Sequence, residues 1–363
     1  MIGGDDSRWL GFWTALLPVL AAALVAGIAA RHFGRLPGIV AGAITGLHPI
    51  ATMASARTMS DEFFAALAVL GVLLLAAALH AERPGRVWAL GVSGGAWFGW
   101  AILTRSSGVL MLGAAVAAFG PQLWSRRAGR AALALCLAVA LTPALAWSWR
   151  SSRLEGRPVF VHSLMYFNWW MGEGVDRGRA GAIRVDDWQR GIALVLEKGG
   201  MSHPNPTRYL YYELTPSASA ALEQALARAA FDQVAAEPLR YASRVARSLW
   251  GYWVIGSSLT RTRQYTLMVL PMLVLAAAGA VAGGRGKTGR DAAWRFCVIA
   301  IALNTVAVAC FFPMARLSTH VYPEVAWLAA GGCAVISQGI RAAKRKSWRR
   351  RGSGIRRWSR EGC

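Results

Sequence analysis

Apolar runs long enough to cross a membrane recur along most of this chain, and they limit what it can fold into. A hydrocarbon layer roughly 30 Å thick takes about 20 helical residues to span. Within it every backbone polar group must be satisfied inside the protein, which leaves helices as the natural solution for long apolar runs. The pattern marks about nine spans, near 8–30, 37–55, 63–80, 88–104, 109–124, 131–149, 264–283, 296–313 and 322–340. Only 16% of the residues are charged, where a soluble domain carries about a quarter. The chain reads as an all-α, polytopic membrane helical bundle.

The net charge of +22 would point to nucleic acid in a soluble protein. Here the basic residues sit in short connections: "RHFGR" at 31–35, "HAERPGR" at 80–86, "SRRAGR" at 125–130 and "GGRGKTGRDAAWR" at 283–295. They are densest in the tail from 341 onward. Lys and Arg favour cytoplasmic loops beside anionic lipid, so the charge reports topology, and the expected partner is membrane lipid with no nucleic acid. Placing every cluster inside puts the N-terminus outside and the C-terminus inside, across an inner (cytoplasmic) membrane. The domains expected are a six-span bundle at 1–149, a small extracytoplasmic domain at 150–263, a three-span bundle at 264–340 and a basic cytoplasmic tail at 341–363.

The long polar segment 150–263 turns helical in its second half, where Leu222, Leu226 and Ala230 recur every fourth residue. After Pro238, Arg240, Arg244 and Arg247 share one face and Val245, Leu249 and Trp253 another. That is the pattern of a basic amphipathic helix in the headgroup plane; resting on lipid and guiding a substrate are equally open. "GGRGKTG" is similar to a phosphate loop, but Val281 stands where the motif needs glycine and no strand precedes it. The six histidines show no metal-ligand spacing, and four of the five cysteines lie in apolar runs as small core residues.

The outward turns bring Asp61, Glu62, Arg57, Arg105 and Arg316 to one face, with His320 nearby. Guanidiniums clamp phosphate oxygens, and a carboxylate accepts a hydroxyl proton or holds a divalent metal. Competing roles exist for each. "TMSD" at 58–61 fits a capping box, and Arg57 and Arg105 fit headgroup-snorkelling residues. Arg316 stands on the wrong side for a topological arginine.

These motifs, in order, resemble a family. "SARTMSDEFFAALAVLGVLLLAAAL" follows its pattern of an outer turn with an acidic residue and then a span. "ILTRSSGVLML" resembles its "LTRPTG"-type turn, and "MYFNWWMGEG" the loop motif after the membrane bundle. "AAEPLRYASRVARSLWGYW" is similar to the helix before its later spans, and "ARLSTHVYPEVAWLAAGG" to "RYxLPxxPxxxxLAA". The chain is similar over about 8–340 to GT-C membrane glycosyltransferases of the dolichyl-phosphate-mannose protein mannosyltransferase-like group, which includes bacterial aminoarabinose transferases.

The resemblance implies a polyprenyl-phosphate-linked sugar donor and a lipid, glycan or protein acceptor at the outer membrane face. It makes Asp61 the catalytic candidate, binding a metal ion or orienting the acceptor, and puts Arg316 and Arg105 on the donor phosphate. Glu62, Arg57 and His320 are then acceptor or metal neighbours, and a divalent metal is the implied cofactor. Leu317 and His320 depart from the family's aromatic and proline. The match starts after the family's first span and its first outer loop, which carries the catalytic base. "MIGGDDSRWLGFW" matches the end of that loop, so the chain reads as a fragment or a mis-set start, with Asp5 and Asp6 close to the first span. A flippase of lipid-linked sugars and a non-catalytic scaffold subunit are the alternatives from other classes.

Overall fold

Small residues set how closely the helices of this protein approach one another. The computed structural model describes residues 6–48, 60–156, 158–159, 165–177, 193–200, 216–256, 258–285, 292–311 and 315–358. Among them the chain is all-α. The first six helices are α1 (Asp6–Phe33), α2 (Arg35–Leu47), α3 (Ser60–His80), α4 (Pro84–Thr104), α5 (Gly108–Trp124) and α6 (Arg127–Glu155). Next come α7 (Met165–Arg177), α8 (Pro216–Ala236) and α9 (Pro238–Val254). The chain then returns through α10 (Leu259–Arg285) and α11 (Ala292–Phe311), a 3-10 turn (Ala315–Val321) and α12 (Tyr322–Trp358).

Seven of these helices are long and apolar enough to cross a membrane. The other two apolar helices, α2 and α5, are shorter, at 13 and 17 residues. The span expected at 37–55 is therefore corrected in its described part: α2 ends at Leu47, and His48 is already extended at ψ 127°. His48 precedes Pro49, and the proline ring clashes with a helical residue before it. Thirteen residues rise only about 20 Å, so α2 alone does not cross.

The close approaches are periodic. Gly34, at φ +102°, turns α1 into α2 with no linker, a backbone conformation suited to glycine. Gly38, Gly42 and Gly46 then lie against Ala30, Ala26 and Ala22 of α1, where added Cβ atoms would stand 2.5, 2.9 and 3.0 Å from the alanine methyls. Gly91 and Gly95 of α4 meet α6 the same way, their added Cβ atoms 2.5 Å from the carbonyls of Ala132 and Cys136. Such small-residue seams bring backbones together in lipid, where packing replaces the hydrophobic drive. Large apolar side chains point outward instead, among them Leu267, 75% exposed, and Ile39, 68%.

A second cluster joins α7, α8 and a short helix at 193–198, through Trp170, Val195, Leu222, Leu226 and Ala230. The apolar repeat expected in α8 is the buried one. Gly172 of α7 lies directly against the Phe311 backbone, which seats this cluster on the end of α11.

The seams predict a contrast between two glycines. Gly95→Ala forces α4 from α6 and should cost about 1–3 kcal/mol, the usual cost of overpacking. Gly113 of α5 has nothing within 4 Å of an added Cβ, so Gly113→Ala should be neutral or stabilising by up to about 1 kcal/mol. Thermal unfolding in detergent distinguishes the two; equal effects would remove the seam from the packing account.

Candidate functional site

A carboxylate buried among apolar helices must be paired or hydrogen-bonded. Asp61, in the first turn of α3, is only 1% exposed. Its Oδ1 accepts from Arg105 Nη1 at 2.5 Å and pairs with His320 Nε2 at 2.9 Å. A carboxylate only accepts, so His320 must carry its proton on Nε2. Arg105 is the C-cap residue of α4, its backbone already extended at ψ 133°. His320 sits in the 3-10 turn before α12, with its ring edge-on to Phe64 at 5.0 Å between centroids. Three segments far apart in sequence thus meet on one oxygen.

Polar groups continue around this point. Ser318 donates to Tyr322 Oη at 3.2 Å, and Tyr322 stacks edge-on against His48 at the end of α2. Tyr252, near the end of α9, is fully buried. Burial pushes its phenol well above the usual range, with Tyr322 and Glu324 adding and Arg105 opposing. It stays protonated at neutral pH.

The structure therefore brings together Asp61, Arg105 and His320 among the residues singled out from sequence. Glu62 belongs to α3 and Arg316 to the 3-10 turn, but their side chains lie outside the described residues. Arg57 and Asp5 lie outside them entirely, as does the side chain of Asp6. Among the described residues no three His, Cys, Asp or Glu side chains converge as a metal cage. Asp61 Oδ1 already faces a guanidinium and an imidazole N–H, where a divalent ion would need open carboxylate oxygen. A divalent ion at Asp61 would have to bind through Oδ2.

Sequence reasoning missed a second polar centre. Glu173 of α7, 3% exposed, binds Arg240 at 2.5 Å and Gln233 at 3.1 Å, with Arg244 Nε at 3.7 Å. Arg244 is 2% exposed. It donates to the Cys310 carbonyl at 2.8 Å and lies 4.8 Å over the ring of Trp169. The arginine face of α9 thus turns inward at Arg244, correcting its placement in the headgroups. The cause is tertiary: the last carbonyls of α11 lack helical partners and favour a cation, and Glu173 supplies the counter-charge. Tyr241, pushed up to about 12 chiefly by burial, remains a donor to the same carbonyl at 3.4 Å. Glu223 of α8 in turn accepts from the backbone N–H groups of Tyr166 and Phe167, both at 3.1 Å, at the start of α7.

Comparison with known proteins adds one sequence match. Residues 1–149 match the family model described as dolichyl-phosphate-mannose-protein mannosyltransferase. The matched segment holds α1 to most of α6, and with them Asp61 and Arg105. No curated protein matches the chain. A crystal structure of ArnT from Cupriavidus metallidurans in the apo state aligns at 15% identity and a TM-score of 0.33, over 91% of this chain and 64% of that one. The chain thus spans about two-thirds of that protein's length.

The buried ion pair predicts a measurable dependence. Arg105→Ala removes the guanidinium from the buried Asp61 carboxylate and should cost roughly 2 kcal/mol, below the ~3–5 kcal/mol of a wholly buried pair because Arg105 is partly exposed. Asp61→Asn/Arg105→Ala together should cost less than the sum of the two single changes. Additive losses in detergent unfolding would show that the two side chains do not act as a pair.

Proposed function

We propose that this protein is a membrane glycosyltransferase that moves a sugar from a polyprenyl-phosphate donor to a lipid, glycan or protein acceptor at the outer face of the cytoplasmic membrane. The observation that carries this reading is Arg105. Asp61 holds its guanidinium, while a quarter of the side chain stays accessible at the end of the bundle. A guanidinium offers several N–H donors in a planar fork, matched to phosphate. The match of residues 1–149 to the mannosyltransferase family supports the same chemistry.

In the reaction, the bond from the sugar's anomeric carbon to the phosphate oxygen breaks, a bond to the acceptor oxygen forms, and the acceptor's hydroxyl proton passes to the departing phosphate or to solvent. The departing polyprenyl phosphate gains negative charge, which Arg105 stabilises together with Arg316 from the 3-10 turn. Asp61 and His320 hold Arg105 and the turn in register. The gathering of charge at one end of the bundle argues against a flippase, whose sites lie near the midplane.

The test is transfer from radiolabelled undecaprenyl-phosphate sugars to lipid and protein acceptors in proteoliposomes. The protein should support transfer from at least one such donor, and Arg105→Lys and Arg316→Lys should each lower it by about a hundredfold, since a point charge replaces a fork. Full activity in both lysine variants would remove the arginines from the phosphate, and absence of transfer with every donor would contradict the reading itself.

A further inference from the structure

Two buried oxygens on elements that border the Asp61–Arg105–His320 cluster have no role in the phosphate site. Tyr252 Oη and Glu324 Oε2 are both shielded from solvent, and no hydrogen-bond partner reaches either among the described residues. Tyr252 is 0% exposed and Glu324 3%. They arrive on different elements, Tyr252 from α9 and Glu324 from the first turn of α12. Tyr252 and Tyr322 share one core cluster, and α9 packs on the 3-10 turn that carries His320. Glu324 follows His320 by four residues, where the 3-10 turn leads into α12.

A buried polar group left unpaired costs the folded state its full desolvation. Such groups are rare, and each calls for a physical explanation. Packing alone would be served by Phe at 252 and Leu at 324. A hydroxyl that donates and a carboxyl oxygen that accepts are instead the pair that reads a sugar hydroxyl, which both accepts and donates. Both stand on elements that border the turn of His320, which shares the Asp61 oxygen with Arg105.

We infer that Tyr252 and Glu324 form a hydroxyl-recognition subsite that binds the sugar of the polyprenyl-phosphate donor beside Arg105. The inference rests on the glycosyltransferase reading above. It assigns the two residues to recognition of the sugar, leaving recognition of the phosphate to the arginines. A site built on hydrogen bonds to hydroxyls rejects ligands that lack them, because its own buried groups are then left unpaired.

The test compares ligand binding with stability in the full chain in detergent. The probes are undecaprenyl phosphate alone and undecaprenyl phosphate carrying mannose or arabinose. The protein should bind at least one of the sugar-bearing lipids about tenfold more tightly than the bare phosphate, the scale of one or two good hydrogen bonds. Tyr252→Phe and Glu324→Leu should each remove most of that preference and leave binding of the bare phosphate within about twofold. Tyr252→Phe should also raise the melting temperature of the ligand-free protein, because it removes an unpaired buried hydroxyl. A structural role would lower it instead. Unchanged preference for the sugar-bearing lipids in both variants, or a lowered melting temperature in Tyr252→Phe, would overturn the subsite. Equal binding of bare and sugar-bearing lipids by the unaltered protein would overturn the subsite and leave the phosphate reading standing. Binding of none of these lipids would overturn the glycosyltransferase reading and the subsite with it.

Discussion

One carboxylate oxygen organises the functional end of this bundle. Asp61 Oδ1 holds Arg105 from the end of α4 and His320 from the turn before α12, so it ties the first half of the chain to the last. Apolar side chains back it, with Phe64 and the buried helices of the central core behind. In that setting an unpaired charge is costly, and both partners become necessary for the position of the third. The small-residue seams serve the same end. Rigid pairs such as α4 on α6 fix where the helix ends lie, and the ion pair then closes the gap between them.

The helices between α6 and α10 are fastened by the same logic applied to backbone groups. Helix ends present unpaired carbonyls and N–H groups, and buried side chains from elsewhere satisfy them. Arg244 and Tyr241 reach the last turn of α11, while Glu223 covers the start of α7. Glu173 compensates the charge brought in by Arg240 and Arg244. This places α9 against the turn of His320 and brings Tyr252 to the edge of the site.

Much of this was legible in the chain. Hydropathy alone marks the apolar helices, and sidedness of the turns places Asp61, Arg105 and His320 together. The every-fourth-residue pattern of Leu222, Leu226 and Ala230 identifies the buried face of α8. What escaped reading depends on distant partners. The arginine face of α9 looks amphipathic and solvent-facing until Glu173 and the end of α11 are placed beside it. The early end of α2 had a local signal in His48 before Pro49, overridden by the longer apolar run. Tyr252 and Glu324 gave no signal at all, because an aromatic residue near a helix end and an acid in a first turn have ordinary structural uses.

The central claim is that the Asp61-anchored guanidinium receives the phosphate of a polyprenyl lipid. The most direct measurement is an electron cryomicroscopy structure of the protein in lipid nanodiscs with undecaprenyl phosphate. The account predicts phosphate density within hydrogen-bonding distance of Arg105, with Asp61 still holding the guanidinium and the polyprenyl chain running along the bundle. Phosphate bound at the basic tail or at the bundle midplane, with Arg105 uninvolved, would contradict it.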